Sequence, residues 1–138
     1  MYLLDTNIIS DTMKRVDNAG LLAFMAKTDP SLAFMSSVTL AEISFGIHLL
    51  PDGKRKIQLQ EDLKQLAIDF SDRILDVDGD IAIRYGAFQA QQKKAGFTDN
   101  VFDSLIIATA QEHSLIVVTR NEKDFRDRGV KVLNPYSE

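Results

Sequence analysis

The chain has no cysteine in its 138 residues. That excludes disulfide frameworks and thiolate zinc sites. Histidine is scarce: His48 and His113 stand far apart, so an imidazole-rich metal site is not expected. Any metal must be held by oxygen, and oxygen donors favour Mg²⁺ or Mn²⁺ over softer ions. No apolar run approaches the ~20 residues of a membrane-spanning helix. A signal-peptide pattern is missing as well, because Asp5 interrupts the first apolar run almost at once. A cytoplasmic protein with no membrane partner is the expectation. Positive charge is also in deficit. Sixteen Lys and Arg against twenty Asp and Glu leave a net charge of −4, which argues against broad electrostatic binding to nucleic acid. An enzyme acting on nucleic acid stays open, since clustered site carboxylates supply much of that negative charge and a bound divalent cation would cancel it.

What is present suits one globular domain over residues 1–138. The hydrophobic fraction is 45%, enough for a real core at this length. Residues 2–5 read as a short buried strand, and Thr6 or Asn7 can start a helix through Ile8, Ile9 and Met13. A polar loop follows, then a second short helix ending near Thr28-Asp29-Pro30. Leu32 to Met35 is a second strand. Ser37 is expected to cap a helix from about Val38 to Leu50, where Leu40, Ile43, Ile47 and Leu50 recur at helical spacing. Pro51-Asp52-Gly53 makes a turn into a charged helix with the stripe Leu59, Leu63, Leu66 and Phe70. These two helices are expected to form a hairpin projecting from the sheet. Ile74 to Val77 reads as a third strand. Asp78 opens a helix ended by Gly96, Thr98-Asp99-Asn100 caps a helix from about Val101 to His113, Leu115 to Val118 is the most strand-like run, and Val130 to Leu133 closes the fold. Strands alternate with helices and hairpin signals are lacking. The pattern predicts a three-layer α/β/α fold with a mainly parallel central sheet.

Three acids lie beside core residues. Asp5 ends the first strand, where open α/β sheets place their sites. Glu42 lies within an apolar helix, with Gly46 one turn on leaving room below it. Asp103 opens the apolar helix Leu105-Ile106-Ile107-Ala108. Burying lone carboxylates is costly without compensation, so three together suggest a shared cation. Taken singly, each has a plainer reading: Asp5 as a helix cap, Glu42 as a solvated or paired residue, Asp103 as an acid favoured by the helix dipole.

Four ordered blocks carry a resemblance. Leu4-Asp5-Thr6-Asn7, Thr39-Leu40-Ala41-Glu42 with Gly46, Asp103-Ser104-Leu105-Ile106-Ile107-Ala108-Thr109-Ala110, and Val118-Thr119-Arg120-Asn121 with Asp124-Phe125 together resemble the PIN-domain nucleases. More closely the chain looks like the VapC toxins of toxin–antitoxin pairs, the FitB-like branch included, from the first strand to Asn134-Pro135. The resemblance implies a PIN-like fold and a Mg²⁺-dependent endoribonuclease, with Mn²⁺ able to substitute. It implies that Asp5, Glu42 and Asp103 are the catalytic, metal-binding acids, that Thr6 and Asn7 position the first of them, and that Thr119 is the hydroxyl near the site. Asn121 stands where many PIN domains carry a fourth acid, a departure that weakens binding of a second metal, with Asp124 a partial substitute or a structural residue. Asp99, one turn before Asp103, is an accessory ligand or a cap.

The resemblance further implies a structured substrate RNA, tRNA or another translation-related RNA. Lys14, Arg15, Lys93, Lys94 and Arg120 are the candidate RNA contacts, against a reading as solvated surface charge. The hairpin around Phe45, Leu49, Leu59 and Leu63 offers apolar surface for a homodimer and for the tail of a cognate antitoxin, whose Arg would block the acids, with a higher toxin–antitoxin assembly in reach; the plainer reading is intramolecular core. Both histidines fall to structure or surface. Two alternatives stand beside this. A haloacid-dehalogenase-like or response-regulator-like fold would want an Asp-x-Asp element or a strand-end Lys, and Asp5-Thr6-Asn7 and Thr119-Arg120 supply neither. A catalytically weak or inactive PIN-like binding module is favoured only by Asn121.

Overall fold

The computed structural model describes residues 1–98 and 100–138. The strands are β1 (Tyr2–Leu4), β2 (Ala33–Ser36), β3 (Ile74–Leu75), β4 (Ile116–Val118) and β5 (Val132–Leu133). The helices are α1 (Thr6–Met13), α2 (Ala19–Lys27), α3 (Ser37–His48), α4 (Lys54–Asp69), α5 (Gly79–Lys94), α6 (Val101–His113) and α7 (Glu122–Phe125). A 3₁₀ turn, Pro30–Leu32, leads into β2. The sheet order is β3-β2-β1-β4-β5, and every pairing is parallel.

Alternation along the central strands builds the three layers, because successive side chains leave a strand on opposite faces. Leu4 and Val118 point to one face and pack with Ile8, Ile9, Leu21, Met35, Ile43 and Ile47 from α1, α2, β2 and α3. Leu3 and Val117 point to the other and pack with Phe88, Ile106, Ile107, Ala110 and Phe125 from α5, α6 and α7. Each large side chain fully buried this way contributes roughly 1.5–3 kcal/mol. The predicted α4 stripe is present: Leu59, Leu63, Leu66 and Phe70 lie half-buried against the first core.

Several boundaries differ from the sequence expectation. Ser36, not Ser37, caps α3, its hydroxyl accepting the Val38 N–H at 3.0 Å. The third strand stops at Leu75 and the last begins at Val132, since these edge strands pair on one side only and pairing runs out first there. The four-residue α7 carries no readable periodicity and was not expected. Asn100 caps α6 through its side chain. The Asp99 expectation lies outside the described residues.

The topology fixes where a site can lie. From β1 the chain winds to β2 and β3 on one side, then crosses to β4 and β5 on the other. The direction of winding therefore reverses around β1, and such a switch point opens a crevice beyond the carboxyl ends of the strands. Leu4 pairs with Val118 at that edge, so the next residues, Asp5 and Thr119, line the crevice. No helix among the described residues is long and apolar enough to cross a membrane.

Candidate active site

Asp5 is the anchor of the crevice. It is only 4% exposed, and three donors hold its carboxylate. The Thr6 N–H donates to Oδ1 at 2.8 Å, while the Thr119 hydroxyl at 2.8 Å and the Asn7 side-chain amide at 3.0 Å donate to Oδ2. The N-terminus of α1 adds its dipole. A carboxylate offers about four lone-pair positions. Donors among the described residues take three, which leaves one on Oδ1 for a further ligand.

Thr6 ties the second acid to the first. Its backbone serves Asp5, and its hydroxyl donates to Glu42 Oε1 at 2.7 Å. The buried Thr39 hydroxyl sits 3.3 Å from the Thr6 hydroxyl. Thr39 lies one turn before Glu42 on α3, so a single helix face carries the acid and its support. Thr119 is equally committed. It donates to Asp5 and accepts the Asn121 N–H at 3.0 Å, with the Asn7 amide at 3.4 Å. Thr119 thus orients the acid and is not a free ligand.

Electrostatics bring in the remaining acids. Burial pushes the Asp103 carboxyl up to about 7, and the charges of Asp5, Asp124 and Glu42 add to that, against an opposing pull from Arg128. Asp5 is likewise raised by burial, less the effects of its Thr119 and Thr6 hydrogen bonds, with Glu42 and Asp124 again raising it. Four carboxylates therefore share one crevice, and Asp124 acts on both central acids. Carboxyls perturbed by burial and by one another in this way are a mark of candidate functional sites.

The donor set suits a hard divalent cation: only oxygens, a surplus of negative charge and little positive compensation. Among the described residues, no three Asp, Glu or His side chains stand close enough to grip an ion by themselves. Mg²⁺ does not need such a cage, since it keeps several waters and takes one or two carboxylates. The residues present fit it on those terms.

A groove of about 190 Å³ opens beside Glu42 between α1, α3 and α4. Ile43, Ile47 and Leu59 form its apolar floor, Gly46 leaves it open, and Lys14 and Arg55 stand on its rim. A Cβ at Gly46 would meet nothing within 4 Å, so the missing side chain is groove volume, not a packing necessity.

Comparison with known proteins decides the family. The PIN domain profile matches residues 2–131. The chain belongs to the PIN domain family. Toxin FitB of Neisseria gonorrhoeae is 35% identical over 139 residues, covering all of both chains. VapC ribonuclease Y4jK of Sinorhizobium fredii is 32% identical over 137 residues, covering 99% of this chain and 98% of its own. The crystal structure of FitAcB from Neisseria gonorrhoeae superposes with a TM-score of 0.89 at 36% identity, covering 98% of each chain. The three-layer PIN fold expected from the sequence is the fold observed.

Within this PIN fold the residues singled out in the sequence divide clearly. Asp5, Thr6, Asn7, Glu42 and Thr119 form one hydrogen-bonded unit. Asp103 and Asp124 join it through charge. Asn121 is exposed at the start of α7, its side chain making no cap bond. Arg120 is exposed, and its half-exposed guanidinium pairs with Asp11 at 3.0 Å. Lys14 lines the groove, while Arg15, Lys93 and Lys94 are exposed. His48 and His113 are also exposed. Phe45 and Leu49 are 67% and 69% exposed, whereas Leu59 and Leu63 turn into the core. Thr39, Asp11 and Tyr136 were not singled out. Thr39 had a signal, a hydroxyl one turn before Glu42. The other two had none, because their partners are remote in sequence.

Proposed function

We propose that this PIN domain is a divalent-metal-dependent endoribonuclease, the toxin of a toxin–antitoxin pair. The observation that carries the reading is the buried Asp5, held by three donors at the switch point of the sheet, with its charge coupled to those of Glu42, Asp103 and Asp124. FitB is a toxin by name and Y4jK a ribonuclease by name, which supports the same reading.

Asp5, through its free position on Oδ1, and Asp103 would hold the metal, Mg²⁺ with Mn²⁺ able to substitute. When bound, such an ion supplies a water of lowered pKa and neutralises charge that builds on the phosphate. Glu42 has Oε1 committed to Thr6. Its Oε2 is left to accept the proton of the attacking water, so Glu42 is the general base. Thr6, Asn7 and Thr119 hold the two carboxylates in place, and Asp124 contributes the negative charge that Asn121 lacks. No Ser, Cys or His nucleophile is required.

The substrate is RNA, and structured translation RNA, tRNA included, is the class proposed. Lys14 and Arg55, which line the groove with Glu42, are the principal phosphate contacts, with Arg15, Lys93 and Lys94 outlying. The apolar groove takes the tail of a cognate antitoxin, from which an Arg reaches the acids. Phe45 and Leu49 pair two copies into a homodimer, and antitoxin binding builds the larger assembly. The protein works in the cytoplasm.

Metal binding tests the reading directly. Calorimetric titration with Mn²⁺ is expected to show binding to the wild type, weakened at least about tenfold by Asp5→Asn or Asp103→Asn. Equal Mn²⁺ affinity in all three proteins would overturn the assignment.

A further inference from the structure

The last residues of the chain are tied to the site by a continuous path of hydrogen bonds. The Tyr136 hydroxyl donates to Asp11 Oδ2 at 2.6 Å. Arg120 donates to the same oxygen at 3.0 Å and lies over the Tyr136 ring, 5.5 Å from its centre. The backbone N–H of Arg120 donates to Asn7 Oδ1 at 3.2 Å, and Asn7 donates to Asp5 Oδ2. Asp11 is a buried carboxylate on α1, so the path joins α1, the turn after β4 and the tail at one point. Burial and the Asp11 hydrogen bond push the Tyr136 phenol above its ordinary value, which keeps it the donor.

The tail is also seated independently of that path. Asn18 clamps Ser137 twice, its Oδ1 accepting the Ser137 N–H and its Nδ2 donating to the Ser137 carbonyl, each at 2.9 Å. Gly20 lies so close that a Cβ there would stand 2.2 Å from the Pro135 carbonyl oxygen and 2.6 Å from the Ser137 nitrogen. Tyr136 is partly buried against the core cluster that contains Ile8, Ile9 and Leu21 of α1 and α2. A notch, a clamp and an anchored ring therefore hold residues 135–137 in one place.

We propose that Tyr136 and Asp11, acting through Arg120, are positioning residues for the Asp5 carboxylate, and that residues 134–137 form a strap whose seating fixes the turn carrying Thr119 and Asn121. The proposal rests on Asp5 belonging to a nuclease site. Arg120 is then part of the frame of the site and not a phosphate contact. Its guanidinium is held by Asp11, and its backbone orients Asn7. Losing the tie lets the turn move, so the donors on Asp5 loosen while the groove and its rim stay as they are.

The test is Tyr136→Phe, which keeps the ring and deletes one O–H donor. With RNA as substrate, kcat is expected to fall about tenfold while KM stays within about twofold, since loss of a group that orients a metal ligand typically costs 10–100-fold. Amide hydrogen exchange at Arg120 and Asn121 is expected to quicken about tenfold, a local loosening. Arg120→Gln breaks the tie from the other side and should show the same pattern, with part of kcat returning in Arg120→Lys. Because the Arg120 side chain is half exposed, Arg120→Gln carries both readouts if Tyr136→Phe does not fold. A wild-type kcat, or a change confined to KM with a weaker salt dependence, would overturn the proposal; the latter is the signature of a lost phosphate contact. Unchanged amide exchange would overturn it whether or not RNA is cleaved. Wild-type protein that cleaves no RNA would remove the nuclease reading, and the exchange measurement would still decide the strap.

Discussion

Thr6 holds Glu42 with its side chain and Asp5 with its backbone, at 2.7 Å and 2.8 Å. One residue at the start of α1 therefore fixes the distance between two acids that come from different elements. Thr6→Val keeps the shape and the backbone bond but deletes the hydroxyl. Turnover on RNA is expected to fall roughly 10–100-fold, the usual cost of losing such support, and Thr6→Ser is expected to keep most of it. A Thr6→Val enzyme with full activity would show that Glu42 needs no such tie.

The raised Asp103 carboxyl gives a pH dependence with a definite sign. Its proton is held up to about pH 7 in the folded chain, against an ordinary value of 3.8. Between those values the folded state binds more protons than the unfolded one, so stability falls as pH rises. The contribution is full below the ordinary value and is lost as pH passes through about 7. In metal-free protein the thermal midpoint should drop between about pH 5 and about pH 8, and Asp103→Asn should flatten that slope. A divalent cation that binds only the folded site should raise the midpoint more at the higher pH. A midpoint that climbs over this interval, in buffers free of metal, would contradict the electrostatic account.

Phe45 on α3 and Leu49 at its C-terminal end are large apolar side chains left mostly in water. They are expected to form the contact between two copies. If two copies pair there as proposed, Phe45→Asp with Leu49→Asp should leave a folded monomer, read by light scattering with circular dichroism as control. Because neither side chain supports the core, unfolding is not expected. A double variant that remains dimeric would place the interface elsewhere.

Much of this was legible in the chain because local signals agreed. Asp5, Glu42 and Asp103 stood out as acids set against apolar runs, and the alternation of strands and helices was enough for the layers. Thr39 lies one turn before Glu42 on the same helix face, a local pattern, although it reaches Glu42 only through the Thr6 hydroxyl. What was not legible depends on distance along the chain. Asp11 and Tyr136 meet across 125 positions, and nothing local marks either one. Arg120 is a surface cation as read, but its partner Asp11 lies 109 residues away and was hidden. Asp124 was ambiguous for a similar reason: the four-residue α7 has no period to place it, and only the folded crevice brings its charge to Asp5 and Asp103. Phe45 and Leu59 looked alike in the hairpin, yet one faces solvent and the other the core, a choice made by how α3 and α4 pack.

The acids around Asp5 are proposed to form a metal-dependent RNA-cleaving site. The most direct measurement is cleavage of total bacterial RNA by the purified, inhibitor-free protein, with Mg²⁺ or Mn²⁺ and with EDTA, beside Asp5→Asn, with the ends mapped at single-nucleotide resolution. The account predicts a few discrete cuts that vanish with EDTA and with Asp5→Asn while the variant stays folded. Folded wild-type protein that makes no metal-dependent cut would contradict it and leave a PIN domain that binds without cleaving, with Asn121 in place of the fourth acid as the residue to explain.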